Sequence, residues 1–110
     1  MPPRPAPGNP FEALGDPQRR AIVHLLRKGP QSVQALADAL PISRPAVSRH
    51  LRLLKDAGLV STRPEGTQRI YRLDKAGARA MRAYLAMVWG DAMGRFTIVA
   101  ENTRPRPRRR

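Results

Sequence analysis

The sequence predicts a small, mostly helical domain with one β-hairpin, and three observations support this fold class. Apolar residues recur at intervals of three and four in several segments, and most of these segments follow a residue that favours a helix start. One later segment has the composition of two short strands around a glycine-bearing turn. The chain has 110 residues and no cysteine, so it has the length of one domain and can form neither disulfides nor thiolate metal sites.

The two ends of the chain differ in composition from its middle. Residues 1–10 contain five prolines, and residues 97–110 are rich in arginine and proline. Such segments bury too little apolar surface to offset the entropy that ordering costs. We therefore expect a disordered N-terminus over 1–10, a folded domain over 11–96 and a flexible tail over 97–110.

The N-terminal part predicts a short helical turn around Phe11 and Leu14, followed by a longer helix. Asp16 can cap that helix, and Pro17 is favoured at its first position. An apolar stripe follows, and the Gly-Pro pair at 29–30 ends the helix.

Two further helices are predicted on either side of a turn at 41–43. Ser32 can cap the first of them, and Pro41 ends it. Ser43 can cap the second, which we expect to run over 44–57. A helix, a three-residue turn and a second helix make a helix-turn-helix, in which the second helix is the recognition helix.

The predicted recognition helix has two different faces. The face expected to pack inward carries Val47, His50, Leu51 and Leu54. The opposite face carries Arg44, Ser48, Arg52 and Lys55. One face can anchor the helix while the other contacts a ligand. His50 lies on the apolar face, which predicts a packed histidine with one satisfied nitrogen rather than a ligand or a catalytic base.

The chain after Gly58 predicts a β-hairpin and then a last helix. Residues 59–63 and 68–73 favour strands around a turn at 64–67, and we expect Tyr71 and Leu73 on the core side. A hairpin after a recognition helix is a wing. The last helix is expected from about 75 to 95, and its apolar stripe is long for so small a core, which favours a subunit interface over a cofactor site.

Positive charge dominates the sequence. Lys and Arg number 21 against 8 Asp and Glu, a formal net charge of +13, and residues 11–96 alone keep about +8. A basic domain favours a polyanionic partner through counterion release. RNA and membrane surfaces also attract such charge, but its combination with a helix-turn-helix indicates double-stranded DNA.

Three segments match a known pattern in the right order. They are Ala13-Leu14-Gly15-Asp16-Pro17-Gln18-Arg19-Arg20-Ala21-Ile22, then Ser43-Arg44-Pro45-Ala46-Val47-Ser48-Arg49-His50-Leu51 with Leu54, Gly58, Leu59 and Val60, then Gly66-Thr67 through Tyr71-Arg72-Leu73. Over about 11–92 the chain closely resembles the ArsR family of bacterial winged-helix repressors. The resemblance implies a homodimer built from the first and last helices, with two recognition helices in successive major grooves of an inverted-repeat operator and wings on the flanking backbone.

The predicted functional residues form two sets. The DNA-contacting set is Ser43, Arg44, Pro45, Ser48, Arg49, Arg52, Arg63, Thr67, Gln68 and Arg69. These residues could instead form an ordinary solvated surface, but their position on a helix-turn-helix and a wing favours DNA. The dimer-interface set is Phe11, Leu14, Met81, Leu85, Val88, Trp89, Ala92, Met93 and Phe96.

The metal-sensing motifs of the resembled family are not matched. The positions of its thiolate motif hold Ser32, Gln34 and Ala37. Its zinc motif aligns with Lys75, Gly77, Val88 and Asp91, of which three cannot bind zinc. We therefore predict no metal and no other cofactor, and a small-molecule inducer stays open.

Two other functions stay open beside a repressor. A sequence-indifferent architectural nucleic-acid binder would draw its affinity from the arginine-rich tail, and a protein-interaction winged helix would dock a partner on its outer face. An enzyme is not expected, because the carboxylates fall at caps, turns or outer faces. With no secretory signal and no apolar run long enough for a membrane, we expect a cytoplasmic, nucleoid-associated protein.

Overall fold

The computed structural model describes residues 8–90, and within them five helices and three strands follow one another. In chain order they are α1 (Pro10–Ala13), α2 (Pro17–Leu26), β1 (Gln31–Ser32), α3 (Val33–Ala39), α4 (Arg44–Asp56), β2 (Val60–Glu65), β3 (Gln68–Leu73) and α5 (Lys75–Trp89). The predicted fold class, mostly helical with a hairpin wing, is confirmed. None of the helices in this part of the chain is long and apolar enough to cross a membrane. The predicted tail over 97–110 lies outside the described residues.

Each helix begins after a side chain that caps it. The capping residues are Asn9, Asp16, Ser32, Ser43 and Asp74. At α2, for example, Oδ1 of Asp16 accepts hydrogen bonds from the backbone N–H groups of Gln18 and Arg19 at 2.8 and 3.1 Å. Such bonds satisfy donors that have no partner within the helix, so the local sequence sets where each helix starts.

The hairpin is tighter than predicted. Strand β2 continues through Glu65, which pairs with Gln68, so the turn consists of only Gly66 and Thr67. Gly66 has a φ of 62°, a left-handed conformation that glycine adopts at little cost. Pro64 is tolerated inside β2 because the strand order is β1-β3-β2, which leaves β2 at an edge of the sheet.

The structure adds a short third strand, β1, beside the predicted two-stranded wing. It consists of Gln31 and Ser32, which pair antiparallel with Tyr71 and Ile70 of β3. A segment of two residues is too short to show an alternation of apolar and polar side chains, so no local pattern predicts this strand. It forms because it pairs with β3. Its effect is to fasten the start of α3 to the wing.

Helix α4 lies at the centre of the hydrophobic core. Its inner residues Val47, Leu51 and Leu54 are fully buried. The other large, fully buried side chains of the same cluster are Ile22, Leu36 and Val60. The predicted inner stripe of the recognition helix is confirmed, and its burial fixes which way the outer face of α4 points.

Two details on the C-terminal side differ from the prediction. Tyr71 is half-buried against the core, but Leu73, the last residue of β3, is 40% exposed and lies outside the core cluster. Helix α5 ends at Trp89, because Gly90 after it has a positive φ of 45°; the rest of the predicted span, up to about 95, lies outside the described residues.

Candidate nucleic-acid interface

The outer face of α4 presents positive charge to solvent. Arg44, Arg49 and Arg52 are all exposed. Within residues 8–90 the structure contains one ion pair, which joins Arg63 to Glu65, so the arginines of α4 are not neutralised by a described carboxylate. Their charge is therefore available to a polyanion.

The start of α4 carries three further residues of the predicted DNA-contacting set. Oγ of Ser43 accepts a hydrogen bond from the N–H of Ala46 at 3.3 Å, which leaves the hydroxyl hydrogen available to a second partner. Pro45 is exposed in the same turn, and Ser48 is half-buried just after it. These short side chains allow another molecule to approach the N-terminal end of the recognition helix closely, which is the end that contacts base edges in helix-turn-helix proteins.

A cleft of about 270 Å³ lies between the start of α4 and the tip of the wing, and we call it the α4–wing cleft. It is lined by Ser32, Val33, Gln34, Arg44, Thr67, Gln68 and Arg69. Four members of the predicted DNA-contacting set thus share one concave surface, although one comes from the helix and three come from the hairpin.

Two polar residues of this cleft, Ser32 and Gln34, are missing from the predicted set. They reach the cleft because Ser32 pairs with Ile70, which places the start of α3 beside the wing. Nε2 of Gln34 donates to Oδ1 of Asp38 at 2.6 Å, so this side chain lies along α3. The missed signal is the two-residue strand β1, which the sequence does not show.

Arg63 lies apart from the α4–wing cleft. It lines a different hollow of the hairpin together with Arg72, whose Nε donates to Oγ of Ser61 at 3.2 Å. Nη2 of Arg63 is 3.4 Å from Oε2 of Glu65, and both side chains are more than 60% exposed. Such an exposed ion pair contributes at most about 1 kcal/mol to stability, so Arg63 could exchange Glu65 for a stronger partner. The structure does not bring Arg63 together with the other predicted wing residues.

The inner face of α4 holds a buried histidine. His50 is 4% exposed, its Nε2 lies 3.0 Å from Oε1 of Gln18, and its Nδ1 lies 3.3 Å from Nη1 of Arg19. The prediction of a packed histidine is confirmed, and both ring nitrogens have a partner where one was expected. Burial lowers the pKa of His50 below its usual value of 6.5, and this effect outweighs the nearby Asp16 carboxylate, which acts in the opposite direction.

An apolar surface extends over α5 and onto α1. It comprises Phe11, Tyr84, Met87, Val88 and Trp89, each at least 37% exposed, and we call it the α5 apolar face. The ring centroids of Phe11 and Tyr84 lie 5.3 Å apart in an edge-to-face contact, so the two helices form one continuous surface. Large apolar side chains clustered in this way indicate a protein partner.

The structure divides the predicted dimer-interface set. Leu14 and Met81 pack against the core of their own chain and Leu85 is half-buried, whereas three other members belong to the α5 apolar face. Tyr84 and Met87 are missing from the predicted set, because a stripe on an isolated helix does not show which side the chain itself will cover. The remaining members, Ala92, Met93 and Phe96, lie outside the described residues.

The positions aligned with the zinc motif of the resembled family do not converge on a site. Lys75 begins α5, Gly77 is buried and Val88 belongs to the α5 apolar face, while Asp91 lies outside the described residues. Within residues 8–90 the structure brings no three His, Asp or Glu side chains together in a group that could hold a metal ion.

Comparison with known proteins identifies the family. Residues 16–62 match the family model described as bacterial regulatory protein, arsR family. The chain is 50% identical over 88 residues to the HTH-type transcriptional regulator Rv2034 of Mycobacterium tuberculosis H37Rv. These residues cover 80% of this chain and 82% of that regulator. The chain belongs to the ArsR family.

Other ArsR-type proteins agree with this assignment. The HTH-type transcriptional repressor SmtB of Mycobacterium tuberculosis is 44% identical over 68 residues, which are 62% of this chain and half of that repressor. A solved structure titled possible transcriptional regulator for arsenical resistance has a TM-score of 0.67 and 42% identity, covering 84% of this chain and 96% of the other. A homodimeric winged helix-turn-helix DNA-binding domain from Mycobacterium bovis has a TM-score of 0.57 and 28% identity, covering 91% and 82%. This ArsR-family chain is a winged helix-turn-helix DNA-binding transcriptional regulator.

Proposed function

We propose that this ArsR-family regulator is a homodimeric repressor that occupies an inverted-repeat operator in double-stranded DNA and so blocks access to a promoter. Each α4 lies in a major groove, and each wing lies on the flanking DNA. The observation that carries the proposal is the α4–wing cleft, which places Arg44 of the recognition helix and Arg69 of the wing on one concave surface.

The α4–wing cleft suits a phosphate group of the DNA backbone. Arg44 and Arg69 bring positive charge to it from two sides, and Thr67 and Gln68 add hydrogen-bond donors. Contacts to phosphates fix the position and orientation of a protein on the duplex but carry no sequence information. We therefore assign the cleft to positioning.

The middle of the outer face of α4 suits base contacts. Arg49 and Arg52 are exposed there and do not line the α4–wing cleft. An arginine can donate two hydrogen bonds to O6 and N7 of guanine, and each good bidentate pair discriminates against a wrong base by about 1–3 kcal/mol. The hydroxyls of Ser43 and Ser48 provide smaller donors on the same helix.

The dimer forms through the α5 apolar face, whose five large apolar side chains are otherwise exposed to solvent. The Mycobacterium bovis neighbour is described as a homodimer, which supports this arrangement. Two-fold symmetry then makes the operator an inverted repeat, and its half-sites lie roughly 10 bp apart from centre to centre.

The test uses a duplex that the purified chain selects from a randomised pool. Titrations at a fixed salt concentration compare this duplex with a scrambled one, and we expect a preference of about 10³-fold or more. Arg49→Ala and Arg52→Ala are each expected to weaken binding to the selected duplex by about 1–3 kcal/mol. Arg79→Ala, which removes an exposed charge on α5, is the matched control and is expected to change it by less than about 0.5 kcal/mol.

Two outcomes of this test would contradict the proposal. Equal affinity for both duplexes would indicate a sequence-indifferent architectural binder, in which the arginine-rich residues 97–110 supply most of the affinity. Absence of binding to any duplex at low salt would indicate a winged helix that docks a protein instead.

The signal that releases the repressor is, in this proposal, not a metal ion held by the thiolate or zinc motifs of the family, because their positions carry other residues. A small-molecule inducer is the alternative. The regulator acts by occupying DNA and not by catalysis. Because DNA is its ligand, we expect it in the cytoplasm, associated with the nucleoid.

A further inference from the structure

The recognition helix is joined to the N-terminal helices through one polar side chain, His50. This residue lies among the apolar side chains on the inner face of α4 and is 4% exposed. Its two ring nitrogens contact Gln18 and Arg19, which both lie in the first turn of α2. A buried polar group with partners on a single neighbouring element fixes the orientation of that element more specifically than apolar packing does.

The partners of His50 define its protonation state. A guanidinium group can only donate hydrogen bonds, so Nδ1 accepts from Nη1 of Arg19 at 3.3 Å and carries no hydrogen. The neutral ring then has its hydrogen on Nε2, which donates to Oε1 of Gln18 at 3.0 Å. Both contacts are satisfied by one tautomer of the uncharged imidazole and by no charged form.

The same contacts continue into α1. Nε of Arg19 donates to the carbonyl oxygen of Ala13 at 2.7 Å, at the end of α1. Phe11 of α1 contacts Tyr84 on the α5 apolar face. Arg19 therefore joins the surface proposed for dimerisation to the helix proposed for DNA recognition, and His50 is the residue through which α4 takes part.

A proton added to His50 would disrupt this arrangement. Nδ1 would become a donor facing the guanidinium of Arg19, and two positive charges would meet in a partly buried site, with Arg49 of the same helix adding a third nearby. Within residues 8–90, Asp16 is the one negative group that acts on the ring. Its carboxylate already accepts from the backbone N–H groups of Gln18 and Arg19, so it remains the cap of α2 and does not take the proton of the ring.

We propose that His50 is a positioning residue for DNA recognition: the neutral ring, seated between Gln18 and Arg19, holds α4 in its DNA-binding orientation, and protonation of the ring releases it. The inference rests on the proposed function, because its readout is affinity for an operator. It predicts that this regulator binds its operator less tightly in mildly acid conditions.

The experiment measures the Kd of the full chain for the selected duplex from pH 7.5 to 5.5 at constant ionic strength. Because only the fraction with a neutral ring binds productively, Kd is expected to rise by up to tenfold per pH unit below the pKa of His50 in the free protein. The Kd for the scrambled duplex is expected to stay level or fall, since nonspecific binding follows total positive charge.

Two variants test whether His50 is the titrating group. His50→Gln can still donate to Gln18, and His50→Asn can still accept from Arg19, but neither side chain titrates in this range. Both are expected to bind somewhat more weakly than the wild type at pH 7.5 and to lose the rise in Kd at acid pH. The matched control is His24→Gln, which replaces the exposed and only other histidine of the chain and is expected to keep the wild-type profile.

A second measurement covers the case in which these variants fail to fold. The pKa of His50 is read by NMR in the wild-type chain, free and bound to the selected duplex, and binding is expected to lower it further. An unchanged pKa on binding, or a wild-type pH profile that survives in His50→Gln, would overturn the inference. These results differ from failure of the proposed function, in which the wild type would show no preference for any duplex at any pH.

Discussion

The N–H of Gly77 donates to the carbonyl oxygen of Gly58 at 2.7 Å, so the first turn of α5 lies directly against the end of α4. Gly58 has a φ of 75°, and a Cβ on Gly77 would lie 2.8 Å from the carbonyl oxygen of Ala57 and 2.7 Å from Cδ2 of Leu59. Two glycines thus allow the helix that carries the α5 apolar face to touch the end of the proposed recognition helix.

Substitution of Gly77 by alanine tests this close approach. The added methyl group meets backbone atoms, which cannot move aside as a flexible side chain can, so we expect a loss of about 1–3 kcal/mol in the free energy of unfolding. Thermal unfolding followed by circular dichroism measures it. Ala80→Ser, at an exposed position of the same helix, is expected to change stability by less than about 0.5 kcal/mol, and an equal loss in both variants would contradict the explanation.

The inner face of α4 is expected to carry much of the stability of the domain. Leu51→Ala removes a fully buried side chain and leaves a cavity, which is expected to cost about 2–5 kcal/mol in urea unfolding. Leu53→Ala makes the same chemical change two residues later, where the side chain is 40% exposed, and its cost is expected to stay below about 1 kcal/mol. Similar losses for the two leucines would mean that the burial pattern of α4 differs in solution.

The α4–wing cleft predicts energetic coupling between Arg44 and Arg69. If both contact one phosphate, replacing either by alanine weakens the contact of the other, so the double variant should depart from additivity by about 0.5–3 kcal/mol in binding to the selected duplex. Arg63 lies outside this cleft. The effects of Arg44→Ala and Arg63→Ala on the binding free energy are therefore expected to add within about 0.5 kcal/mol. If the effects of both pairs of substitutions add, Arg44 and Arg69 do not contact one phosphate.

The α5 apolar face predicts that one charge can separate the subunits. Met87 is the most exposed side chain of this face, at 74%, and Met87→Asp would bury a carboxylate between two chains, so we expect sedimentation of the variant as a monomer at micromolar concentration. Operator affinity is expected to fall with it. Ala86→Asp adds the same charge on another side of α5 and serves as control. A dimeric Met87→Asp variant would place the interface elsewhere.

The stability of the chain is expected to depend on pH through His50. Burial lowers the pKa of His50 in the folded state, so as the pH falls through 6.5 the unfolded chain takes up the proton first. The free energy of unfolding therefore declines below pH 6.5 until the lowered pKa of the folded state is reached. Urea unfolding at several pH values measures the decline, which is expected to persist in His24→Gln and to be absent in His50→Gln.

Local features of the sequence predict most of the helices. Asp16, Ser32, Ser43 and Asp74 each cap the helix that their spacing to an apolar stripe predicts, because capping involves only the next two or three residues. The inner face of α4 is predictable for the same reason. A stripe with 3.6-residue periodicity is a property of one segment.

The parts that sequence could not predict depend on contacts between distant segments. Strand β1 exists because it pairs with β3, and Ser32 and Gln34 enter the cleft only through that pairing. The partners of His50 lie more than 30 residues before it, on α2. The sequence also does not show which apolar side chains of α5 face the core of their own chain, since both sides of this helix carry apolar residues.

Pro64 has a consequence for how these molecules can assemble. It stands opposite Arg69, one pair before the closing pair of the hairpin, so its nitrogen points to the free edge of β2 and offers no hydrogen there. A strand from another molecule cannot extend the sheet past this point. Growth into open-ended β-aggregates is therefore hindered along the wing.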